Sequence, residues 1–401
     1  MAADVTIALA LEGQLRLDDQ PALHQAVALA RRHPGAQLLV LACRPEGQRL
    51  RGPHQRRLER QALAALQQRL AAAAIPLQHA PELTTSAALA ELRPVVQPEA
   101  VLHAQESRLF DTWPVAAERF PRVFSQFRRG LERSPQPPLP PPDLAGLGGT
   151  WDELPRAWLA PPEAAAAGGD PRSAFPFAGD ESAALARLQH YLFGSNGLRD
   201  YKATRNGLVG TEFSAKVSPF LGVGSLSVRR IWREVLRYQE LHGADEGSQW
   251  MQQELLWREF FLWSEQHHGA AFHAPGGLQN RPPAWQADRE RFARWTRGDS
   301  GHPLIDAQLN ELLATGYLSN RGRQWVASHF VNELQLPWIW GARFFEWALI
   351  DAHPALNTGN WAYLAGVGSD PRSFGGAPRR FDLERQVRLY DPQQTHRQLW
   401  S

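Results

Sequence analysis

The sequence is short of cysteine, of lysine and of long apolar runs, and each shortage excludes something. One cysteine, Cys43, in 401 residues excludes an internal disulfide framework and any zinc or iron–sulfur site built on cysteines alone. No apolar run approaches the ~20 residues of a bilayer-spanning helix. The opening Met1-Ala2-Ala3-Asp4 lacks the basic-then-apolar build of a secretion signal. The expected compartment is reducing cytoplasm, with neither membrane nor metal as a partner. Lys202 and Lys216 are the only lysines among 43 basic residues. The rest are arginines, whose planar forks suit bidentate contact with phosphate. Charge of one sign is lacking too, because 41 acidic residues leave a net +2. Any nucleic-acid site is therefore a local patch rather than a basic domain.

Aromatic residues are plentiful: 15 Trp and 18 Phe. The length suits two or three domains of roughly 100–200 residues each. Residues 4–11, 38–42, 77–80 and 100–104 read as short buried strands. Residues 21–32, 54–74 and 86–92 read as helices between them. This alternation predicts an α/β domain over residues 1–133 with a parallel, Rossmann-like sheet covered on both faces. It carries no Gly-x-Gly-x-x-Gly after the first strand and no phosphate loop of the Gly-x-x-x-x-Gly-Lys kind. Residues 134–178 hold 11 prolines and two Gly-Gly pairs, a linker composition, with room for a short helix over 151–159.

From residue 179 to 401 strand patterns are scarce and the domain reads as all-α. Asp180 is placed to cap its first helix. Further helices are expected at 227–242, 250–267, 288–296, 306–314, 322–334, 341–351 and 383–390. Twelve of the 15 tryptophans fall here. Most of such tryptophan is core, since Trp buries a large area; walls for a flat ligand are the sharper use. Polar groups sit among these aromatics in four clusters. On a helix, Glu254, Trp257 and Arg258 share a face, either as an i, i+4 ion pair or as a pocket wall. Ser319-Asn320-Arg321-Gly322-Arg323-Gln324-Trp325 reads as a helix entry suited to an anion. Asn357 to Tyr363 reads as a polar turn running into aromatics. Ser214-Ala215-Lys216-Val217-Ser218-Pro219 reads as a hydroxyl-rich turn able to hold a pyrophosphate.

These clusters, with Tyr201 to Gly207, Gly301 to Ala307 and Gly359 to Arg372, make the chain resemble the photolyase/cryptochrome superfamily, and within it the DASH-type cryptochromes. The resemblance spans about 200 residues in the right order. It implies that residues 179–401 cradle FAD. Tyr201, Ser214, Ala215, Lys216, Val217 and Ser218 match contacts to the FAD phosphates. Glu254 and Arg258 match a cavity wall, and Asn320 and Arg323 match the turn against the flavin. Asp351 matches the carboxylate paired with that arginine. Asn357 matches the residue facing flavin N5, and His353 stands where an Asp is usual. Trp361, Trp338 and Trp285 match the tryptophans that relay electrons to the excited flavin. Arg205 and Arg321 match DNA phosphate contacts. Glu254, Trp257, Asn320, Gln324 and Tyr363 match the pocket for a flipped pyrimidine dimer.

The implied activity is that of a deoxyribodipyrimidine photo-lyase, a carbon–carbon lyase. It splits cyclobutane pyrimidine dimers with light, mainly in single-stranded DNA, with Glu254 steadying the dimer. A blue-light receptor working by flavin photoreduction is the alternative, and a flavoprotein that binds nucleic acid without repair is a third reading. A folate antenna is the second cofactor the resemblance implies, with Glu106 as the matching carboxylate. The chain is expected to act as a monomer. Besides His353, three features depart from the family. Ala10 to Arg16 replaces its opening aromatic motif, Thr358 replaces a usual Trp, and little follows Tyr390-Asp391-Pro392, which favours repair over tail-mediated signalling.

Overall fold

A computed structural model describes residues 5–44, 51–116, 118, 120–149, 169–281, 285–370 and 379–401. Four parallel strands, β1 (Thr6–Ala10), β2 (Gln37–Arg44), β3 (Leu77–Thr84) and β4 (Ala100–His103), form a sheet in the order β3-β2-β1-β4. The helices α1 (Pro21–Ala30), α2 (Pro53–Ala71) and α3 (Thr85–Leu92) connect them. Alternation explains why both faces are covered. Ile7, Leu9, Leu38 and Val40 belong to the core that holds α1 and α2, whereas Ala8, Leu39 and Leu41 pack with Ala88 and Leu92 of α3. The expected parallel α/β domain is present, with β3 running four residues further than its apolar stretch. The short helix α4 (Phe124–Arg129) follows, unforeseen because six residues give no period to read. The possible helix over 151–159 lies outside the described residues.

The second region is helical: α5 (Glu181–Gln189), α6 (Tyr201–Thr204), α7 (Ser218–Gly222), α8 (Val228–His242), α9 (Glu246–His268), α10 (Arg289–Trp295), α11 (Pro303–Thr315), α12 (Asn320–Asn332), α13 (Trp338–Ala348), α14 (Pro354–Leu364), α15 (Leu383–Tyr390) and α16 (Thr395–Trp400). No strand occurs here among the described residues, and no helix is long and apolar enough to cross a membrane. Asp180 caps α5 as expected, accepting from Ala183 N at 3.0 Å. One expectation fails. Asn357 to Tyr363 is not a polar turn but the body of α14, which Pro354 opens at its first position.

The two regions share one core, which runs from the sheet through Leu188, Ile231 and Val235 to Phe260 of α9. Charges reinforce this seam. Asp19 takes Arg229 through Nε and Nη2 at 3.0 and 2.8 Å. Asp18 takes Arg230 at 2.9 and 2.6 Å. The Glu181 carboxylate accepts from the Leu17 and Asp18 amides. The residues directly after the stretch that lacks the family's opening motif thus clamp the two regions together. A second core, largely within α10–α15, buries Trp295, Trp325, Trp338 and Trp361 and has Trp285 and Trp340 packed against it, while Trp263, Trp232 and Trp257 belong to or pack on the first, so most of this region's tryptophan is packing.

Candidate functional site

A cavity of about 310 Å³ opens among α6, the 213–222 stretch, α9, the start of α12, α13 and α14. Local sequence rules place each wall. On α9, Met251, Glu254, Leu255 and Arg258 recur at helical spacing and all line the cavity. That helix begins at a reciprocal cap: Asp245 Oδ1 accepts from Ser248 N at 2.7 Å, and Ser248 Oγ accepts from Asp245 N at 3.1 Å. Ser319 caps α12 by accepting from Gly322 N at 3.0 Å. A Cβ on Gly322 would lie 1.8 Å from Gln308 Oε1, so the Gln308 amide of α11 occupies the space that glycine leaves on α12. A Cβ on Gly341 would lie 2.3 Å from the Trp361 ring, which explains how α13 and α14 approach so closely.

The cavity's charges are of two kinds. Some are fully committed. Glu254 pairs with Arg205 and accepts from Trp250 Nε1 at 3.0 Å. Arg258 turns away from Glu254 and meets Glu106 Oε1 at 2.6 Å and Ser107 O at 2.8 Å. The Glu254–Arg258 ion pair considered from sequence therefore does not form, and the pocket-wall reading of this face is the one realised. His353 Nε2 meets the same Glu106 oxygen at 2.8 Å. Burial alone would raise the Glu106 pKa, but His353 and Arg258 pull it down to about 2. Glu106 thus holds two side chains, Arg258 and His353, that line the cavity.

Other groups are not committed. Lys216 is 3% exposed, and among the described residues no carboxylate lies within ion-pair distance of it. Its Nζ donates to Tyr317 Oη at 3.0 Å and sits over the Phe213 ring. Burial drives its pKa well below that of an ordinary lysine. Arg323 donates to Asp351 Oδ2 at 2.8 Å and to Leu318 O at 3.0 Å, yet Asp351 Oδ1 is buried without a partner, as is His353 Nδ1. Asn357 is anchored by donating Nδ2 to Ala342 O at 2.6 Å.

All the residues matched to FAD by resemblance line this one cavity, from Tyr201 and Ser214 to Ser218 through Glu254, Arg258, Asn320 and Arg323 to Asp351, His353 and Asn357. So do Arg205, Gln324 and Trp361. Trp257, Arg321, Tyr363, Trp285 and Trp338 do not line it. Trp257 stacks on Phe124 with centroids 3.8 Å apart and meets Tyr363 edge-on at 6.2 Å. Arg321 donates to Gln324 Oε1 at 3.1 Å, so the two arginines of the α12 entry serve different neighbours. Trp338 is buried and donates to Pro275 O at 2.9 Å, while Trp285 is partly exposed. Thr358 does not line the cavity and instead bonds His273 at 3.2 Å. Tyr317, Phe213 and Met251 line the cavity but were not foreseen. For Met251 the signal was available, three residues before Glu254 on the same helix face.

Residues 250–401 match the family described as the FAD binding domain of DNA photolyase. The chain is 40% identical over 297 residues to a cryptochrome DASH of Synechocystis, covering 72% of this chain and 58% of that one. It is 45% identical over 231 residues to a cryptochrome DASH of Natronomonas pharaonis, covering 58% and 48%. The chain thus spans about half the length of the curated relatives it matches. The crystal structure of a Synechocystis cryptochrome superposes with a TM-score of 0.84 at 31% identity, over 100% of this chain and 89% of that one. A class III photolyase from Agrobacterium tumefaciens shares the fold with a TM-score of 0.80 at 23% identity, over 100% and 87%. The chain belongs to the photolyase/cryptochrome superfamily, with DASH-type cryptochromes among its relatives, and carries that family's FAD-binding domain.

Proposed function

We propose that the chain holds FAD in this cavity and uses blue light to split cyclobutane pyrimidine dimers, chiefly in single-stranded DNA. The observation that carries this reading is the uncommitted set: a buried ammonium without a carboxylate and a buried carboxylate oxygen without a donor. Buried charge is costly unless paired, so a ligand with both an anionic part and an N–H donor completes the site. FAD has both. Lys216, in left-handed backbone at φ 59°, and the 214–218 stretch would hold the pyrophosphate. Asp351, oriented by Arg323, would accept from the ring system, and Asn357 would flank it. Bound FAD supplies light-driven one-electron transfer, which no side chain does.

The protein's own residues then position and protect. Trp361, buried in the cavity wall, is the first electron donor, followed by Trp338 and Trp285. Trp361 and Trp338 are buried and Trp285 is partly open. Trp257 and Tyr363, in edge-on contact, receive the flipped dimer together with Asn320 and Gln324. A single strand offers the dimer without a base pair to break. Glu254 starts as a carboxylate held by Arg205. Transfer of Arg205 to a DNA phosphate frees Glu254 to face the dimer.

The test is photorepair. The purified protein is reduced and illuminated with a dimer-bearing single strand or the matching duplex, and thymine absorbance is followed. The expected result is recovery at least severalfold faster on the single strand. Flavin that photoreduces without repair on either strand replaces this reading with that of a light receptor. Failure to bind flavin overturns both.

A further inference from the structure

The aromatic core around Trp361 does more than lead toward Trp338. Two rings connect Trp361 to Trp295 of α10. Phe330 lies 5.5 Å from Trp361 and 4.5 Å from Trp295. Phe345 lies 5.1 Å from Trp361 and stacks on Trp295 at 6.4 Å. Beyond Trp295, Phe344 follows at 5.1 Å and Trp347 at a further 5.9 Å. Trp347 is 45% exposed, one of few large apolar side chains in the open. Six rings on four helices, α10, α12, α13 and α14, thus form an unbroken ladder from the cavity wall to solvent.

We propose that Trp295 and Trp347 form a second electron outlet from Trp361, parallel to the Trp338–Trp285 route. It rests on the reading of Trp361 as the first donor. Once Trp361 has given up an electron, Trp295 refills it, and Trp347 refills Trp295. Each step moves one electron inward and one vacancy outward, and the phenyl rings stay unoxidised as the medium between indoles. The two tryptophans differ in what they do with the vacancy. Trp295 is wholly buried and its Nε1–H has no acceptor, so its radical cation keeps its proton and the step remains reversible. Trp347 faces water, which takes the Nε1 proton and leaves a neutral radical. A soluble thiol restores it by giving up one hydrogen atom, becoming a thiyl radical. The surface end lies where α13 meets the start of α2, since a Cβ on Gly52 would fall 1.6 Å from Trp347 O. The second outlet therefore opens beside the α/β domain.

The experiment uses the FAD-loaded chain, laser-flash absorption for the tryptophan radical, and a nitroso spin trap located by peptide mass spectrometry. In Trp338→Phe the radical yield should fall severalfold yet stay at least tenfold above that of Trp361→Phe. The trap adduct should sit on Trp347. Adding Trp347→Phe, a change at an exposed position that spares the core, should remove the adduct and shorten the remaining radical at least tenfold. Adding Trp295→Phe should bring the yield down to that of Trp361→Phe. A Trp338→Phe yield already equal to that of Trp361→Phe, or no adduct on Trp347, overturns the outlet while leaving Trp361 as donor. An undiminished radical in Trp361→Phe overturns the donor reading itself, and the outlet with it.

Discussion

The seam between the two domains and the cavity bury charge with opposite outcomes. At the seam, Asp19 is matched by Arg229, Asp18 by Arg230, and the Glu181 carboxylate by two backbone amides. In the cavity, Lys216 has only a phenol and an aromatic face, and Asp351 and His353 each keep one polar atom unmatched. A buried charge that is fully partnered holds the fold together. One left unpartnered costs stability and persists where a ligand completes it. The contrast separates structural arginines from ligand groups in a chain where arginine is everywhere.

Breaking the seam has the largest effect. Asp19→Ala leaves Arg229 buried against only Asp111 at the rim and should cost about 3–5 kcal/mol, read as a lower urea midpoint. A loss below about 1 kcal/mol would show that the seam is not what joins the domains. Glu106 links the seam to the cavity. Its folded pKa, about 2, lies below the ordinary 4.5. It therefore adds stability that is fully present above pH 4.5 and disappears as pH falls toward 2. That contribution is about 3 kcal/mol, and Glu106→Gln should flatten the acid limb of the stability curve accordingly. Gly341→Ala drives a methyl into the Trp361 ring and should cost about 1–3 kcal/mol by overpacking. It should also blue- or red-shift Trp361 fluorescence, unlike a purely surface change. The smallest effect carries the opposite sign. Lys216→Met relieves an unpaired buried ammonium and should stabilise the flavin-free chain by about 1 kcal/mol while weakening FAD binding. Destabilisation of the flavin-free chain would mean Lys216 is structural after all.

Much of this was legible in the residues. Short buried apolar runs placed the strands, and helical periods placed α1 to α3 and the long helices, whose apolar faces are long enough to repeat. The cavity lining was legible through motif resemblance, since Lys216, Arg323, Asp351 and Asn357 come from segments distant in sequence that no local rule connects. What stayed hidden has physical causes. α14 reads as a turn because Asn357, Thr358 and Gly359 disfavour helix locally, yet tertiary packing overrides them: Asn357 is tied to Ala342, and Gly359 gives room to the Phe261 ring. The partners of Glu254 and Arg258 were hidden because Arg205 and Glu106 lie far off in sequence. Local i, i+4 geometry offers a pairing that these longer-range contacts outcompete.

The central claim is that the cavity's uncommitted charges are a site for FAD, with Lys216 answering its pyrophosphate. Equilibrium binding of FAD and of riboflavin to the flavin-stripped chain tests it directly. The account predicts FAD at least 100-fold tighter than riboflavin, with Lys216→Met closing most of that gap through the phosphate-free ligand's indifference to the change. Equal affinities for the two flavins, or a gap that survives Lys216→Met intact, would contradict it.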